Sequence, residues 1–269
     1  MSELLAGQPR EQLLTHLAEA RGLFCFVDYD GTLAPIAPRP ELALPEAGAT
    51  QVVQALAALP KVHLAIVSGR RADEVRQLLP ASGAYYVGVH GAEVVDPTGE
   101  KLFLEEPSQI QHWLERAREL LEPAIKNSEG VWIEDKIFAL ACHTRLASEN
   151  SRHRAERAVR SVYERLRLEG APLQLVEGKR VLEFRSKHVN KGRAVLWLWQ
   201  SRAPDFVPLY AGDDATDEDA FSALAGQGVT IRVGAESVVT RAHYRIATPK
   251  DLVAFLRDLW FARKARPSS

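Results

Sequence analysis

The 269-residue sequence predicts a parallel α/β fold that is interrupted by a smaller inserted α+β domain. Two observations lead to this fold class. Short apolar runs recur along the chain with helical segments between several of them, and one central region has a different order of elements. Strands that alternate with helices form parallel sheets covered by helices on both faces. The apolar runs predicted as strands are Leu23–Asp28, Val62–Val67, Tyr85–Val89, Phe206–Ala211, Val229–Val233 and Tyr244–Ala247.

Helical segments follow several of these strands. Thr50–Leu59 carries its apolar residues on one face, and Arg71–Leu79 follows the second strand. Asn190 has the side chain and position of an N-cap, because it precedes a segment with helical apolar spacing. Thr248 followed by Pro249 predicts an N-cap and a first helical residue for the last helix. These helices would cover the parallel sheet.

Residues 108–187 break this alternation. A helix precedes two short strands, and the same order then repeats, which gives the element order αββαββ. We therefore expect a core made of residues 1–107 and 188–269, with residues 108–187 forming an inserted domain. The strands predicted within the insert are Val131–Ile133, Ile137–Cys142, Leu173–Val176 and Val181–Phe184.

The composition indicates a soluble globular protein, with 46% hydrophobic and 26% charged residues. A formal net charge of −1 creates no overall field that would attract nucleic acid or acidic membranes. No segment approaches the roughly 20 apolar residues that span a bilayer. Cys25 and Cys142 lie in apolar runs without zinc-ligand spacing, which favours reduced core cysteines and a cytoplasmic location. We therefore expect a protein that binds neither nucleic acid nor membranes. We also expect a monomer, although the sequence itself does not determine the oligomeric state.

Four clusters of polar residues lie at or just after the predicted strand ends. In an open parallel sheet, ligands bind at the carboxyl ends of the strands, so these clusters are expected to meet at one edge. They are Asp28 and Asp30 with Thr32, then Ser68-Gly69-Arg70, then Asn190-Lys191-Gly192, and finally the acidic segment Gly212-Asp213-Asp214-Ala215-Thr216-Asp217-Glu218-Asp219.

Each cluster alone also has a purely structural explanation. Asp-x-Asp-Gly is a common turn sequence, and Ser-Gly-Arg can be only a turn between a strand and a helix. Asn-Lys-Gly can be only a helix cap, and acidic residues before a helix complement its dipole. The occurrence of all four clusters at strand ends in one chain favours a site for phosphoryl chemistry.

The residue types suit a two-step phosphoryl transfer. Asp28 would attack phosphorus and become an aspartyl phosphate, which divides one difficult step into two. Asp30 would protonate the leaving oxygen and then deprotonate the attacking water. Ser68, Lys191 and backbone amides would stabilise the charge of the transferring group. The turn at Gly69 would let backbone amides approach the phosphate closely.

The paired carboxylates also predict a divalent cation. Mg²⁺ prefers oxygen ligands and would offset the repulsion between neighbouring carboxylates and a phosphate. Asp28, Asp30 and Asp213 are the candidate ligands. Asp214 or Asp217 would hold metal-bound waters or orient the lysine of the third cluster. The sequence does not decide which of these two lies nearer the metal.

These clusters resemble the four motifs of the haloacid dehalogenase superfamily of phosphatases. The finer resemblance is to the trehalose-6-phosphate phosphatase family, and it extends over most of residues 23–260. It implies a Rossmann-like catalytic core from residues 1–107 and 188–269, with residues 108–187 as a cap domain. The residues that carry it are Asp28-Tyr29-Asp30-Gly31-Thr32-Leu33, Ser68-Gly69-Arg70, Gly88-Val89-His90-Gly91 and Gly212-Asp213-Asp214-Ala215-Thr216-Asp217-Glu218-Asp219-Ala220-Phe221.

The resemblance implies further substrate-binding residues. Gly69, Arg70 and His90 would lie on the phosphate side, although His90 could equally be a turn histidine. The cap would present polar side chains to the sugar hydroxyls. Residues 134–136 could instead be only a polar hairpin turn, and His143 and Arg145 could only pair with acidic neighbours. One departure from the family pattern is Ser186, where many relatives have proline. The cap residues implied are Glu134, Lys136, His143, Arg145 and Glu183.

The activity implied is Mg²⁺-dependent hydrolysis of trehalose 6-phosphate to trehalose and phosphate. Three alternatives remain open from the sequence. The same scaffold could act on sucrose 6-phosphate or another glycosyl phosphate. A phospho-accepting switch domain or a sugar-phosphate sensor would use similar carboxylates, but a switch domain needs a long-lived acyl phosphate and no inserted cap.

Overall fold

The computed structural model describes residues 2–37, 39–104, 107–136, 138–178, 180–235 and 238–265. The chain divides into two units. The core unit comprises Met1–Leu104 and Asn190–Ser269, and the inserted unit comprises Glu105–Val189.

The core unit contains a nine-stranded sheet within the described residues, in the order β1-β13-β12-β11-β2-β3-β4-β5-β6. Neighbouring strands from β1 to β4 in this order are parallel, whereas β5 and β6 add an antiparallel hairpin at one edge. The mostly parallel sheet confirms the predicted fold class. The strands are β1 (Glu3–Leu4), β2 (Leu23–Asp28), β3 (Val62–Val67), β4 (Tyr85–Gly88), β5 (Glu93–Val95), β6 (Lys101–Phe103), β11 (Val207–Gly212), β12 (Val229–Val233) and β13 (Tyr244–Ile246).

Helices cover both faces of this sheet because its central strands are apolar on both sides. Along β2, Leu23, Cys25 and Val27 join one buried cluster, while Phe24 and Phe26 join the other. Helices α1, α2, α3 and α8 contribute to the first cluster, and α6 and α7 contribute to the second. The helices are α1 (Gly7–Glu19), α2 (Ala49–Ala57), α3 (Ala72–Leu78), α6 (Lys191–Arg202), α7 (Asp217–Ala223) and α8 (Pro249–Lys264).

The predicted helix caps are confirmed. The side chain of Asn190 accepts a hydrogen bond from the backbone N–H of Arg193, so α6 begins at Lys191. Thr248 accepts from the N–H of Asp251, with Pro249 as the first residue of α8. Each cap satisfies one amide that has no partner within the helix.

The inserted unit has the predicted αββαββ order and a four-stranded antiparallel sheet in the order β7-β8-β10-β9. The two helices α4 and α5 pack together and contact this sheet. On α5, Ala155, Val159 and Leu166 are buried at helical spacing. The elements are α4 (Pro107–Ile125), β7 (Trp132–Lys136), β8 (Ala139–His143), α5 (Glu149–Leu168), β9 (Leu173–Gly178) and β10 (Val181–Ser186).

Several predicted strand ends lie elsewhere in the structure. Strand β9 continues to Gly178 instead of Val176, β10 continues to Ser186 instead of Phe184, and β11 covers Val207–Gly212 instead of Phe206–Ala211. The first strand of the insert was expected to end at Ile133, but β7 continues through Lys136. Its residues pair with β8 along the whole length, with Glu134 opposite Ala141 and Lys136 opposite Ala139. Residues 134–136 can belong to the strand although they are polar, because an antiparallel sheet can have one face in contact with water. Ile137, predicted as the start of the next strand, lies outside the described residues.

The two cysteines are buried and form no disulfide. Burial raises the pKa of Cys25 to about 12 and that of Cys142 to about 11, so neither thiol is reactive at neutral pH. Among the described helices, none combines the length and the apolar character needed to cross a bilayer.

Candidate active site

The carboxyl ends of three neighbouring strands bring the sequence clusters together. Strands β2 and β11 are parallel neighbours, with Val27 opposite Ala211, and they end at Asp28 and Gly212. Ser68 follows β3, which pairs with β2 on its other side. Residues at or directly after the carboxyl ends of neighbouring parallel strands lie at the same edge of the sheet, as the sequence predicted.

Lys191 lies at the centre of the buried charges. It is the first residue of α6, and its side chain is only 3% exposed. Its Nζ donates to Asp28 Oδ1 at 2.7 Å and to Asp217 Oδ1 at 2.8 Å. Asp214 Oδ1 is 3.9 Å from the same nitrogen. The lysine therefore joins the end of β2 to the acidic segment after β11.

Asp217 organises this acidic segment. Its Oδ1 accepts hydrogen bonds from Lys191 and from the Tyr210 hydroxyl at 2.6 Å. Its Oδ2 accepts from the backbone N–H groups of Asp213 and Asp214, each at 2.9 Å. Four hydrogen bonds to one carboxylate fix its position and orientation. Asp217 therefore fixes both the lysine and the loop that carries Asp213.

Burial and the neighbouring charges shift the pKa values of the ionisable groups in this site. Burial raises the pKa of Asp28 well above its ordinary value; Lys191 opposes this rise, and the nearby carboxylates of Asp217, Asp213 and Asp214 add to it. Burial and the nearby Asp217 raise the pKa of Asp213 to about 7. Burial disfavours the charge on Lys191, but Asp217 and Asp28 raise its pKa overall. In Asp214, burial is outweighed by the lysine and by hydrogen bonds within its own loop, which lower its pKa to about 2.

This group of carboxylates fits a hard divalent cation. One carboxylate oxygen each from Asp28, Asp213 and Asp217 lies within 4.8 Å of the others. Thr32 also donates to Asp213 Oδ1 at 3.3 Å, which ties the first cluster to the last. Oxygen donors with unbalanced negative charge are the donor set that Mg²⁺ prefers.

Two glycines, Gly192 and Gly91, allow the chain around the start of α6 to pack closely against neighbouring backbone. A Cβ at Gly192 would collide with the backbone carbonyl oxygen of Asp219, so a side chain there would separate α6 from α7. Gly91 has φ +108°, and a Cβ there would lie 2.7 Å from the carbonyl oxygen of Asn190. The helix that begins with Lys191 is thus held between two backbone contacts.

The Ser68-Gly69-Arg70 segment is bonded to the turn that contains His90. The N–H of His90 donates to Ser68 O at 2.9 Å, and the N–H of Val89 donates to Arg70 O at 2.8 Å. Val89 and His90 both adopt left-handed backbone conformations, with φ 48° and 55°. Such strain persists only where the surroundings enforce it, and it is typical of functional sites. Gly69 leaves the room that the His90 ring occupies, since a Cβ would lie 2.5 Å from it.

Arg70 pairs with Asp30 rather than extending from the sheet edge. Its Nε and Nη2 donate to the two oxygens of Asp30 at 2.7 and 2.6 Å, while Nη1 donates to Glu74 at 2.7 Å. The guanidinium also lies over the ring of Tyr29, 5.4 Å from its centroid. Bidentate geometry makes this a strong, well-oriented pair. Asp30 and Arg70 are therefore coupled, which their separation in sequence does not indicate.

The predicted sugar-binding residues form two pairs in the inserted unit. Lys136 Nζ donates to Glu183 Oε2 at 2.8 Å, and His143 Nε2 lies 2.7 Å from Glu134 Oε2. The cross-strand register places all four side chains on one face of the sheet, because residues two apart on a strand share a face. Arg145 follows β8 and is exposed.

Three residues near these clusters escaped the sequence prediction. Tyr210 is the one hydroxyl-bearing residue in the apolar run before Gly212, and a buried tyrosine normally needs a partner. Glu93 is buried in an apolar run and accepts from the N–H of Ala72 at 2.7 Å, at the start of α3. Glu74 follows Arg70 by four residues, a spacing that favours pairing on a helix.

The fold and this edge of the sheet define a phosphatase of the haloacid dehalogenase class. Solved structures of similar fold support that class, and a family model described as trehalose-phosphatase matches residues 26–250. The chain therefore belongs to the trehalose-phosphatase family.

Individual relatives agree with this assignment. The chain is 34% identical over 264 residues to a probable trehalose-phosphate phosphatase 4 of Oryza sativa, which covers 94% of this chain and 70% of the relative. It is 31% identical over 261 residues to trehalose-phosphate phosphatase B of Arabidopsis thaliana, covering 91% and 68%. The structure of Aspergillus fumigatus trehalose-6-phosphate phosphatase matches with a TM-score of 0.73 and 27% identity, covering 97% of this chain and 100% of that one.

Proposed function

We propose that the protein is a Mg²⁺-dependent phosphatase that converts trehalose 6-phosphate and water into trehalose and inorganic phosphate. Family membership supports the substrate. The observation that carries the chemistry is the buried contact between Lys191 and Asp28 beside the carboxylates of Asp213 and Asp217. The charge of Lys191 does not balance the carboxylates of Asp28, Asp213 and Asp217, so this group is suited to binding a metal together with a phosphate.

In the first step, a carboxylate oxygen of Asp28 bonds to phosphorus as the bond from phosphorus to the sugar oxygen breaks. Asp30 gives its proton to that oxygen, so trehalose leaves neutral and Asp28 carries an acyl phosphate. Because Asp30 pairs with Arg70 in this structure, this pairing has to loosen before Asp30 can act as an acid. Ser68 and Lys191 would stabilise the oxygens of the transferring group.

In the second step, Asp30 takes a proton from water, and the hydroxide oxygen bonds to phosphorus. The bond between phosphorus and the Asp28 oxygen breaks, which releases phosphate and restores the carboxylate. Asp28 and Asp213 would hold Mg²⁺, whose charge offsets that of the phosphate, and Asp30 would join them only when its pairing with Arg70 loosens. The hydrogen bonds already made to Asp217 favour a positioning role for it, and Asp214 would bond metal-bound water.

We infer that the inserted unit serves as a cap domain that reads the sugar. Hydroxyl groups can bond to both members of a polar pair, and a wrong sugar would leave such groups unpaired at a large cost in binding. Arg70, His90 and Gly69 would act on the phosphate side. We also infer a cytoplasmic monomer; the two buried cysteines without a disulfide support the reducing compartment. The cap residues proposed for the sugar are Glu134, Lys136, His143, Arg145 and Glu183.

The test compares Asp28→Asn with Asp205→Asn, a control at a carboxylate that is 73% exposed. We expect Asp28→Asn to abolish phosphate release from trehalose 6-phosphate while equilibrium binding of that substrate persists. Asp205→Asn should retain wild-type turnover. Phosphate release that survives Asp28→Asn would exclude the covalent mechanism.

A panel of sugar phosphates tests the substrate. We expect the kcat/KM for trehalose 6-phosphate to exceed that for sucrose 6-phosphate and glucose 6-phosphate by at least about 100-fold, since buried polar groups discriminate strongly. Comparable turnover of sucrose 6-phosphate would contradict the assignment of trehalose 6-phosphate as the specific substrate.

A further inference from the structure

Trp132, in the first strand of the inserted unit, is an exposed aromatic residue in an ordered setting. Its indole stacks on the imidazole of His143 with the ring centroids 4.7 Å apart and an angle of 8° between the planes. The two residues are directly opposite each other on β7 and β8. Nevertheless, Trp132 remains 41% exposed. A large apolar ring is thus fixed in orientation and still meets solvent.

The surroundings of Trp132 are the polar pairs described above. Trp132, Glu134 and Lys136 alternate along β7 and therefore share one face of the sheet. Residues two apart on a strand are about 7 Å apart, so these three positions form a row of about 13 Å. Glu134 bonds to the same His143 on which the indole stacks. One histidine therefore holds both the aromatic ring and the adjacent carboxylate.

An exposed aromatic ring beside paired polar side chains is a suitable binding surface for a pyranose ring. A pyranose has hydroxyl groups around its edge and an apolar surface of C–H groups on its face. The carboxylates and the lysine can bond to the hydroxyls, while a flat aromatic ring can cover the C–H face. Because the indole is already held by His143, binding would cost little additional side-chain entropy.

We propose that Trp132, held in place by His143, is an aromatic platform for a pyranose ring of the substrate's disaccharide moiety. The proposal rests on the assignment of trehalose 6-phosphate as substrate and adds a specificity residue to it. The competing explanation is a cross-strand aromatic pair that stabilises the sheet and touches no ligand. The two explanations differ in which measured quantity changes when the indole is removed.

The test measures kcat and KM for trehalose 6-phosphate and for p-nitrophenyl phosphate, which has the phosphate but no sugar. Trp132→Ala is expected to raise KM for trehalose 6-phosphate about tenfold, a change of about 1.4 kcal/mol, with little effect on kcat. Its kcat/KM for p-nitrophenyl phosphate should stay within about twofold of wild type. Trp132→Phe, which keeps a flat ring, should restore most of the affinity.

Leu168→Ala is the matched control, because Leu168 is an exposed apolar residue of the same unit, 78% exposed on α5. It should leave KM for both substrates unchanged. If Trp132→Ala fails to fold, Trp132→Leu replaces it, since leucine retains apolar bulk without a flat ring and should raise KM similarly.

An unchanged KM for trehalose 6-phosphate in Trp132→Ala or Trp132→Leu, accompanied by a lower Tm, would overturn the proposal in favour of a structural pair. Failure of the substrate assignment gives a different result. In that case the wild-type protein itself would hydrolyse p-nitrophenyl phosphate but not trehalose 6-phosphate.

Discussion

At the scale of single residues, the raised pKa of Asp213 should make the stability of the fold depend on pH. Burial and the charges of Asp217 and Asp214 raise its pKa from 3.8 to about 7. Between pH 3.8 and about 7, Asp213 retains its proton in the folded protein but has released it in the unfolded chain. The contribution of Asp213 to folding stability is therefore complete below about pH 4 and is lost as the pH rises through about 7.

We predict that, in a chelating buffer, the Tm of the wild-type protein falls as the pH rises from 5 to 8 more steeply than the Tm of Asp213→Asn. The asparagine side chain does not ionise, so this part of the pH dependence disappears. Mg²⁺ should raise the wild-type Tm more at pH 8 than at pH 5, because the cation binds the ionised carboxylates. Parallel Tm curves for the two proteins, or equal Mg²⁺ effects at both pH values, would contradict this prediction.

The side-chain contacts also show which features of the site could not be predicted from the sequence. The positions of Asp28, Ser68 and Lys191 could be predicted because they respectively end a buried strand, follow a buried strand and begin a helix. The partner of Arg70 could not be predicted, since sequence spacing does not indicate which carboxylate a long side chain will reach. Pairing with Asp30 depends on how the turns after β2 and β3 pack in three dimensions.

At the scale of elements, a strand could be predicted where the buried run was both continuous and five or six residues long. Strands β2, β3 and β12 have the predicted bounds, because their residues are almost all buried and polar segments adjoin their ends. By contrast, β1 and the hairpin of β5 and β6 are only two or three residues long and lie at the sheet edges. Helix α1 was missed as well, since only Leu13, Leu17 and Ala18 of its 13 residues are buried. Such segments are fixed by tertiary contacts that leave no clear period in the sequence.

The contact between α6 and α7 gives a prediction for an element interface. Gly192→Ala introduces a methyl group that collides with the backbone of Asp219 on α7. We expect it to destabilise the fold by about 1–3 kcal/mol and to lower kcat at least tenfold, because α6 carries Lys191 and α7 carries Asp217. Thermal unfolding and steady-state kinetics provide the measurements.

The control is Arg193→Ala at the next position, which is exposed and lies on the same helix. This variant should keep the wild-type Tm within a few degrees and the wild-type kcat. If Gly192→Ala matched Arg193→Ala in both quantities, the close approach of the two helices would not matter for the site.

At the scale of the whole molecule, the proposed chemistry is divided between two units with separate sheets. The core unit contains the buried lysine and the candidate metal ligands, whereas the inserted unit contains the polar pairs and Trp132. Each unit has its own buried apolar residues and hence its own source of stability. A metal ion that binds the core unit and a sugar that binds the inserted unit should therefore slow hydrogen exchange in different parts of the chain.

We predict that hydrogen exchange will separate these effects by peptide. Mg²⁺ should slow exchange in residues 28–33 and 212–217, because the carboxylates there would be bridged by the cation and the amides of Asp213 and Asp214 bond to Asp217. Trehalose without phosphate should slow exchange in β7 and β8 of the inserted unit, where the proposed sugar-binding pairs lie. Sucrose at the same concentration is the control, since sugars also stabilise proteins by exclusion from their surface. Equal protection by sucrose and trehalose would contradict a sugar site in the inserted unit, and Mg²⁺ protection that favours β7 and β8 over residues 212–217 would contradict the proposed metal site.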